Sequence, residues 1–294
     1  FTRALTCLTK YGDDLTIYAT PDSLSFSTTN SSMSAYCRFR YDKLFFSRYL
    51  TGGNKKSQRG RKGPYAEDTG EVQAVTGQLP TKILLSVLKH KSLDRTVERC
   101  ELSLIEGSAD AEDDEDGLES KLIIRICCKH GGIVKTHRLV LIEPNSLMAP
   151  GLPDPSMESH FAIGPKAMKD MLEHFPSARG IKYDPQLIWE LGDSEVQIRS
   201  FEASTDNRGT VQLSTELTIS VEEFDDYTVY DTPVSIAFHL REFSATIAYA
   251  ESMDLVLDLR FTGPAEPLYI DVENDGVESL FVVSTSHAPG ANSS

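Results

Sequence analysis

The 294 residues include 29 Lys and Arg against 44 Asp and Glu, which gives a formal net charge of −15 at neutral pH. A chain of this length is typical of two domains. Its composition, with 40% apolar and 9% aromatic residues, is that of a globular protein and excludes a wholly disordered or fibrous chain. The longest apolar runs cover only a few residues, which argues against a membrane-spanning segment. Five cysteines without regular spacing favour a reducing compartment over a disulfide scaffold.

The negative charge is unevenly distributed along the chain. Residues 1–142 contain 21 basic and 18 acidic side chains, whereas residues 143–294 contain 8 basic and 26 acidic ones. Within the first half, residues 106–119 hold eight acidic residues and no basic residue. Affinity for DNA depends on Lys and Arg that neutralise phosphates at the contact surface. Because the acidic residues are concentrated in parts of the chain, a basic surface can exist elsewhere, and the net charge alone does not exclude a DNA partner.

The first half begins with a helix and continues with strands. Apolar side chains at helical spacing predict helices over Phe1–Tyr11 and Pro80–Lys91. Gly131 and Gly132 predict a hairpin turn between the last two strands of this half. Segments rich in β-branched residues predict the strands Leu15–Ala19, Ser23–Thr28, Ala35–Arg40, Thr96–Ile105, Lys121–Lys129 and Ile133–Ile142.

The second half repeats this order after a connector. Glu143–His160 contains four prolines, which favour an extended segment. Helices are predicted over Gly164–Phe175 and Leu240–Glu251. The predicted strands are Ile181–Tyr183, Leu187–Leu191, Glu195–Phe201, Val211–Ser220, Pro233–His239, Leu255–Phe261, Leu268–Val272 and Ser279–Ser284.

The repeated order indicates an internal duplication of about 150 residues and an α+β fold with antiparallel sheets. We expect an N-terminal domain over 1–142, the connector over 143–160, a C-terminal domain over 161–286 and the start of a disordered tail at 287–294. Residues 51–79 and 106–120 are predicted to be insertions. The first insertion contains a basic run that fits a nuclear-import or phosphate-contacting loop as well as a merely soluble insertion. Its basic residues are Lys55, Lys56, Arg59, Arg61 and Lys62.

Basic side chains lie opposite the apolar side of the predicted helices. Any soluble helix presents charged side chains to solvent, so basic residues on one helix alone do not indicate a binding site. They would form a shared basic surface only if all the helices lie on one side of a curved sheet. In that arrangement the first half presents a surface suited to phosphates, and the second half, where acids accompany the bases, contributes far less. The residues concerned are Arg3, Lys10, Lys82 and Lys89 in the first half and Lys166, Lys169 and Arg241 in the second.

Signatures of catalysis and of metal binding are weak. The sequence has no dinucleotide, phosphate-loop, zinc-protease or serine-hydrolase motif. Cys127, Cys128, His130 and His137 bracket the predicted hairpin, but neighbouring strand residues point to opposite faces, so we expect no zinc site. We therefore expect neither an enzyme nor a bound metal or cofactor.

Four strings, in matching order and spacing, resemble the Rad-nine subunit of the DNA-damage checkpoint clamp, and the likeness extends from Phe1 to about Thr285. This family is similar in fold to proliferating-cell nuclear antigen (PCNA): subunits of two similar α+β domains close into a ring with helices inside and sheets outside. The four strings are Thr29–Phe39, Arg95–Leu104, Cys127–His137 and Leu240–Leu255.

The resemblance implies a nuclear subunit of a ring-shaped clamp that encircles double-stranded DNA at damage or stalled forks and recruits signalling and repair proteins. Its implied partners are the Rad-one and Hus-one subunits, which complete a heterotrimer, and a clamp loader of the replication-factor-C type. A phosphorylated C-terminal tail, absent from this chain, would recruit the activator of the checkpoint kinase. The seven helix residues named above would face the channel. The family's first strand would precede Phe1, so its absence would leave a sheet edge unpaired.

Two other functions are weighed against this one. A metal-dependent DNA exonuclease would need carboxylates that converge on metal ions, and Asp13, Asp14 and Glu251 show no favourable spacing for this. A subunit of a replicative processivity clamp would share the fold, although the charge difference between the halves and the long insertions argue against it.

Overall fold

Antiparallel strand pairing and four helices organise the chain, which a computed structural model describes over residues 1–51, 74–89, 96–107, 119–129, 131–144, 150–151, 158–175, 185–206 and 209–288. The helices are α1 (Thr2–Tyr11), α2 (Thr81–Leu88), α3 (Pro165–Glu173) and α4 (Leu240–Met253). The strands are β1 (Asp14–Ala19), β2 (Ser23–Thr29), β3 (Ala35–Asp42), β4 (Val75–Pro80), β5 (Val97–Ile105), β6 (Lys121–Cys128), β7 (Val134–Val140), β8 (Ser159–Ile163), β9 (Gln186–Leu191), β10 (Glu195–Asp206), β11 (Gly209–Ser220), β12 (Asp226–Thr228), β13 (Val234–His239), β14 (Leu257–Phe261), β15 (Leu268–Asn274) and β16 (Val277–Val283).

One large sheet joins the two halves. Its nine strands follow the order β12-β8-β14-β15-β16-β3-β2-β1-β4, and the junction is the antiparallel pairing of β16 with β3. Val277 lies opposite Tyr41 and Val283 opposite Ala35. Two smaller sheets have the orders β11-β10-β9-β13 and β5-β6-β7. Strands of the first half thus extend the sheet of the second half.

The strand orders repeat, as expected for a duplication. The order β3-β2-β1-β4 in the first half has its counterpart in β11-β10-β9-β13 of the second, and β5-β6-β7 corresponds to β14-β15-β16. Strand β8 flanks β14, whereas no strand of the described chain flanks β5. By this correspondence, β7 is the counterpart of β16 and β11 is the counterpart of β3.

The helices pack side by side on the sheets in the order α2-α1-α4-α3. Ala4, Leu5, Leu8 and Tyr11, at helical spacing on α1, are buried beneath its exposed side. In the strands, side chains alternate between this core and the outer face of the sheet, as β3 shows by burying every second residue. None of the helices in the described ranges is long and apolar enough to cross a membrane.

Aromatic rings fill the core beneath the junction of the halves. The ring of Phe281 in β16 lies 5.5 Å from that of Phe39 in β3 and 5.8 Å from that of Tyr11, measured between centroids. Tyr249 of α4 packs edge-on against Phe39. The Tyr11 hydroxyl lies 2.6 Å from the Thr246 hydroxyl, and burial raises the pKa of Tyr11 well above its usual range, so the phenol stays neutral.

Three strands, β4, β8 and β12, lie where the sequence predicted none. The predicted insertion at 51–79 ends in β4, whose inward side chains include Leu79 but also Gly77, where a Cβ atom would lie 2.8 Å from the Leu141 side chain. This polar, glycine-containing strand lacks the apolar alternation that predicts strands. The three-residue strand β12 is too short to show such a pattern.

The predicted connector and tail are also partly ordered. Strand β8 begins within the last two residues of the 143–160 connector. The prolines of the connector favoured a segment without regular structure, so the sequence did not predict this strand. At the other end, Ser286 bridges to Ala237, and Ala288 is buried against Ile188 and Ala237. The second residue of the predicted tail at 287–294 is therefore packed. The predicted strand Ile181–Tyr183 and most of the two insertions lie outside the described residues.

We predict that Phe281→Ala lowers the free energy of unfolding by about 3–5 kcal/mol, because it removes the ring that contacts both halves. Urea unfolding, followed by the fluorescence of Trp189 and by circular dichroism, measures this change. Leu44→Ala, at a side chain that is 85% exposed, serves as the control and should change the value by less than about 0.5 kcal/mol. A similar small loss for Phe281→Ala would contradict a shared core.

Candidate functional site

The four helices present one continuous surface, on the side of the row that faces away from the sheets. Helices α1 and α4 run antiparallel, since Arg3 near the start of α1 contacts the end of α4, while Tyr11 at its end contacts Thr246. The structure thus places on one surface the seven basic residues singled out in the sequence. Whether this surface faces DNA stays a prediction.

Arg3 connects two helices. Its guanidinium donates to the backbone carbonyl of Ser252 and lies 3.2 Å from the sulfur of Met253, both in the last turn of α4. A cation at a helix C-terminus interacts favourably with the unsatisfied carbonyls there. Arg3 is therefore partly committed to the contact between α1 and α4.

Three of the predicted lysines form ion pairs. Lys82 Nζ lies 2.8 Å from Asp13 Oδ1, Lys166 Nζ lies 3.0 Å from Asp254 Oδ1, and Lys169 Nζ lies 3.0 Å from Glu251 Oε1. The hydrogen bond from Lys82 lowers the pKa of Asp13, and the hydrogen bond to Glu251 raises the pKa of Lys169. These pairs cancel much of the positive charge that the sequence suggested.

The remaining predicted cations are Lys10, Lys89 and Arg241. Each is exposed, and none forms an ion pair with another described residue. Arg241 lies close enough to Asp13 to lower the pKa of that carboxyl further, after the larger effect of Lys82. These three side chains are therefore the strongest candidates on this surface for contacts with phosphates.

Small and hydroxyl-bearing side chains separate the charges. Thr6 donates its hydroxyl to the Thr2 carbonyl, Thr9 donates to the Thr6 carbonyl, and Ala248 is exposed between them and the end of α4. With their hydroxyls satisfied within the helix, these residues form a smooth surface without strong attachment points. Such a surface suits weak, sequence-independent contacts better than tight binding.

The carboxylates considered for a nuclease do not converge. Asp13 pairs with Lys82 near the start of α2, whereas Glu251 pairs with Lys169 near the end of α4. Within the described ranges, no group of three or more His, Cys, Asp or Glu side chains could hold a metal ion. The basic run Lys55, Lys56, Arg59, Arg61 and Lys62 lies outside those ranges.

Two strand edges form a second candidate site, which sequence patterns did not reveal. Strands β7 and β11 each end a sheet, with no strand beyond them in the described chain. Cys128 donates to the Ile133 carbonyl and Leu141 donates to the Ser120 carbonyl. Along an antiparallel strand, the N–H groups of successive residues point alternately toward and away from the neighbouring strand. Since Ile133 and Leu141 face β6, the even-numbered residues of β7 direct their N–H groups away from β6. These residues are Val134, Thr136, Arg138 and Val140.

Solved structures define the class of fold. The chain aligns with TM-scores of 0.62 to the PCNA2–PCNA3 complex of Sulfolobus tokodaii, 0.61 to PCNA of Thermococcus kodakaraensis and 0.59 to PCNA of Entamoeba histolytica. Sequence identities are 13%, 14% and 11%, the alignments cover 97%, 97% and 98% of this chain, and they cover 95% of each neighbour. The fold is that of a PCNA-like sliding-clamp subunit, as the sequence resemblance implied.

The family is narrower than the fold. Residues 1–286 match the Rad9 family, and the chain belongs to it. It is 23% identical to the DNA repair protein rad9 of Schizosaccharomyces pombe, over 96% of this chain and 67% of the relative. Identity to the rad9 protein of Schizosaccharomyces octosporus is 24%, over 91% and 62%. The chain therefore spans less than the full length of these relatives, about two thirds of it.

We predict that Lys82→Gln raises the pKa of Asp13 toward its ordinary value of 3.8, because it removes the hydrogen bond and the adjacent charge that favour the carboxylate. Since the folded pKa is lowered, the pair stabilises the fold above the ordinary pKa and is lost as the pH falls through the lowered value. Carboxyl NMR titration measures the shift. Arg241→Gln should give a smaller rise and Lys10→Gln none; the reverse order would contradict the geometry.

Proposed function

We propose that this chain is one subunit of a nuclear, ring-shaped checkpoint clamp that encircles double-stranded DNA, with the helix surface toward the DNA. The halves at 1–142 and 161–286 would be its two clamp domains, linked by the 143–160 connector. Membership of the Rad9 family and the PCNA-like fold support this function. The observation that carries the proposal is the pairing of β16 with β3, which provides a template for joining subunits.

The β16–β3 pairing can serve as a template because β7 and β11, two edge strands of the described sheets, are the counterparts of the two strands that pair at this junction. Strand β7 is the counterpart of β16, and β11 is the counterpart of β3. If β7 of one subunit pairs with β11 of the next, the contact between subunits repeats the contact between the halves of one chain. A head-to-tail contact of this kind closes into a ring when successive rotations add to a full turn. Three subunits of two halves each would give a ring of six similar units.

The identity of the neighbours comes from the family resemblance. We propose that the other two subunits are Rad-one and Hus-one, and that a loader of the replication-factor-C type places the ring on DNA. Recruitment of repair proteins and of a checkpoint-kinase activator completes the proposed function. A scaffold of this kind needs no catalytic group.

Encirclement reconciles the acidic chain with a DNA partner. A closed ring retains DNA by topology, so it needs few phosphate contacts and tolerates a net charge of −15. Lys10, Lys89 and Arg241 would supply those contacts from the helix surface. The ion-paired lysines would add little, because their charges are neutralised locally.

We predict that Thr136→Pro weakens assembly with the partner subunits at least tenfold. Proline removes an N–H group that β7 directs toward its open edge, and the hydrogen bonds to β6 stay intact. Sedimentation velocity of the chain with purified Rad-one and Hus-one subunits measures the loss of heterotrimer.

The matched control for assembly is Thr136→Val, which also removes the hydroxyl but keeps the backbone N–H group. It should assemble like the unaltered chain. Full assembly of Thr136→Pro would contradict pairing through β7. A trimer of this chain alone would instead favour the replicative kind of clamp.

We predict that the loaded ring stays on a nicked circular plasmid and leaves when the plasmid is linearised, because enclosure holds it. The triple variant Lys10→Gln, Lys89→Gln and Arg241→Gln should leave the linear DNA faster. The salt dependence of its DNA affinity should be shallower by up to about three in the logarithmic slope, since each lost phosphate contact removes about 0.9. Gel filtration of the loaded plasmid measures retention.

The control for the DNA contacts removes whole ion pairs and leaves the net charge unchanged. It combines Lys166→Gln with Asp254→Asn and Lys169→Gln with Glu251→Gln, and it should behave like the unaltered ring. Retention on linear DNA without blocked ends would contradict encirclement. An unchanged salt slope for the triple variant would instead contradict only the assignment of the channel residues.

A further inference from the structure

The outer face of the first-half sheet forms a polar trough that also reaches the end of α1 and the starts of α2 and α4. The trough has a volume of about 1070 Å³, and its floor consists of the outward side chains of β1, β2 and β3. This size is comparable to that of pockets that hold small ligands or short peptide segments.

Two rows of side chains cross the floor of the trough from strand to strand. The strand register aligns Arg38, Ser27, Thr16 and Gln78 in one row and Arg40, Ser25, Tyr18 and Thr76 in the next. Each row thus begins with an arginine at β3 and continues with polar side chains, mostly hydroxyls. Such rows offer many hydrogen-bond donors on one face, with positive charge concentrated at one end.

The two arginines differ in their contacts. Arg40 donates to Glu278 Oε1 at 2.7 Å and to the Ser23 hydroxyl at 3.3 Å, so it is held in place. Arg38 forms no ion pair with another described residue, and its Nε is buried without a hydrogen-bond partner. The hydroxyl of Thr76, which lies on β4 opposite Tyr18, is likewise buried and unpartnered. Buried polar atoms normally have partners, so the Nε–H group of Arg38 is a donor that a group bound in the trough would satisfy.

Groups around Arg38 are arranged to favour an anion. Ser27 lies directly opposite it on β2 and forms a hydrogen bond with the Tyr36 hydroxyl. Burial raises the pKa of Tyr36, and the charge of Arg38 beside it offsets part of that rise. Arg38 therefore lies among neutral hydroxyls, with its donors available to a bound group.

We propose that the trough binds a phosphorylated serine or threonine within a peptide segment. The Arg38 guanidinium would contact the phosphate, and the hydroxyl of Ser25 would donate to it. A phosphate offers three acceptor oxygens, more than a carboxylate, and matches both the planar fork of arginine and several hydroxyl donors.

The surrounding charges favour a peptide over a nucleic acid. A nucleic acid would bring one negative charge per nucleotide close to Asp13, Asp14 and Asp22, which line the trough. A peptide brings a single phosphate and can place Lys or Arg beside Asp14, which is exposed at the rim and unpaired within the described ranges. The preferred segment would carry basic residues next to the phosphorylated one.

The test measures binding of labelled peptides by fluorescence anisotropy to the purified chain and to the assembled ring. The probes are a short Lys- and Gly-containing peptide with one phosphoserine, its unphosphorylated twin and an oligothymidine of similar length. We expect the phosphorylated peptide to bind at least about tenfold more tightly than its twin. Arg38→Gln should abolish this preference, and Arg38→Lys, which keeps the charge but loses the fork, should retain part of it.

The matched control is Lys129→Gln, which removes an exposed positive charge at the end of β6, outside the residues that line the trough, and should leave peptide binding unchanged. Thermal unfolding of each variant verifies that it is folded. Equal binding of the two peptides, or an undiminished preference in folded Arg38→Gln, would overturn the proposal. Tighter binding of oligothymidine that is lost in Arg38→Gln would also overturn it, in favour of a nucleic-acid site. The proposed ring assembles through β7 and β11 and not through this face, so both arginine variants should still form the heterotrimer, and failure here is distinct from failure of the clamp.

Discussion

The backbone ladder between β16 and β3 is the interaction on which the rest of the architecture depends. Its ends are fixed by the Asp42 N–H group, 2.9 Å from the Gly276 carbonyl, and by the Ser284 N–H group, 2.8 Å from the Ser34 carbonyl. Phe281 and Phe39 bury this ladder from the helix side. Because the two halves share one sheet, α1 and α4 pack side by side, and the four helices form a single surface.

On the proposed DNA-facing side, the helix surface must meet two opposing requirements for its charge. Protein that moves along DNA needs attraction to phosphates, but strong attraction to particular positions would hold it in place. Lys82, Lys166 and Lys169 have carboxylates within 3.0 Å, which reduces their field at a distance. The charges of Lys10, Lys89 and Arg241 are not neutralised by an ion pair with another described residue. The surface is therefore only weakly positive, a property that net charge and helix position do not reveal.

Periodicity was sufficient to predict the elements with a strong local pattern, such as α1 and α4. It failed for β4 and β8, because Gly77 interrupts the first and prolines precede the second. The four family-like strings correctly led to the clamp fold, as the structural neighbours confirm. Ion pairs such as that of Lys82 with Asp13 could not be predicted, because they depend on the approach of separate elements. The open edge of β7 and the unpartnered Arg38 likewise follow from strand order and register.

The peptide chain that links the halves has a mechanical consequence for the proposed ring. At the β16–β3 junction the two strands are tethered within one molecule, so after any local opening they meet again at a high effective concentration. A junction between β7 and β11 of separate subunits has no such tether and depends on the concentration of its partners. The two kinds of junction would be similar in backbone geometry, but the junction between subunits would dissociate more readily than the junction within one chain. A loader that opens the ring would therefore act at a boundary between subunits, and each two-domain subunit would move as one body.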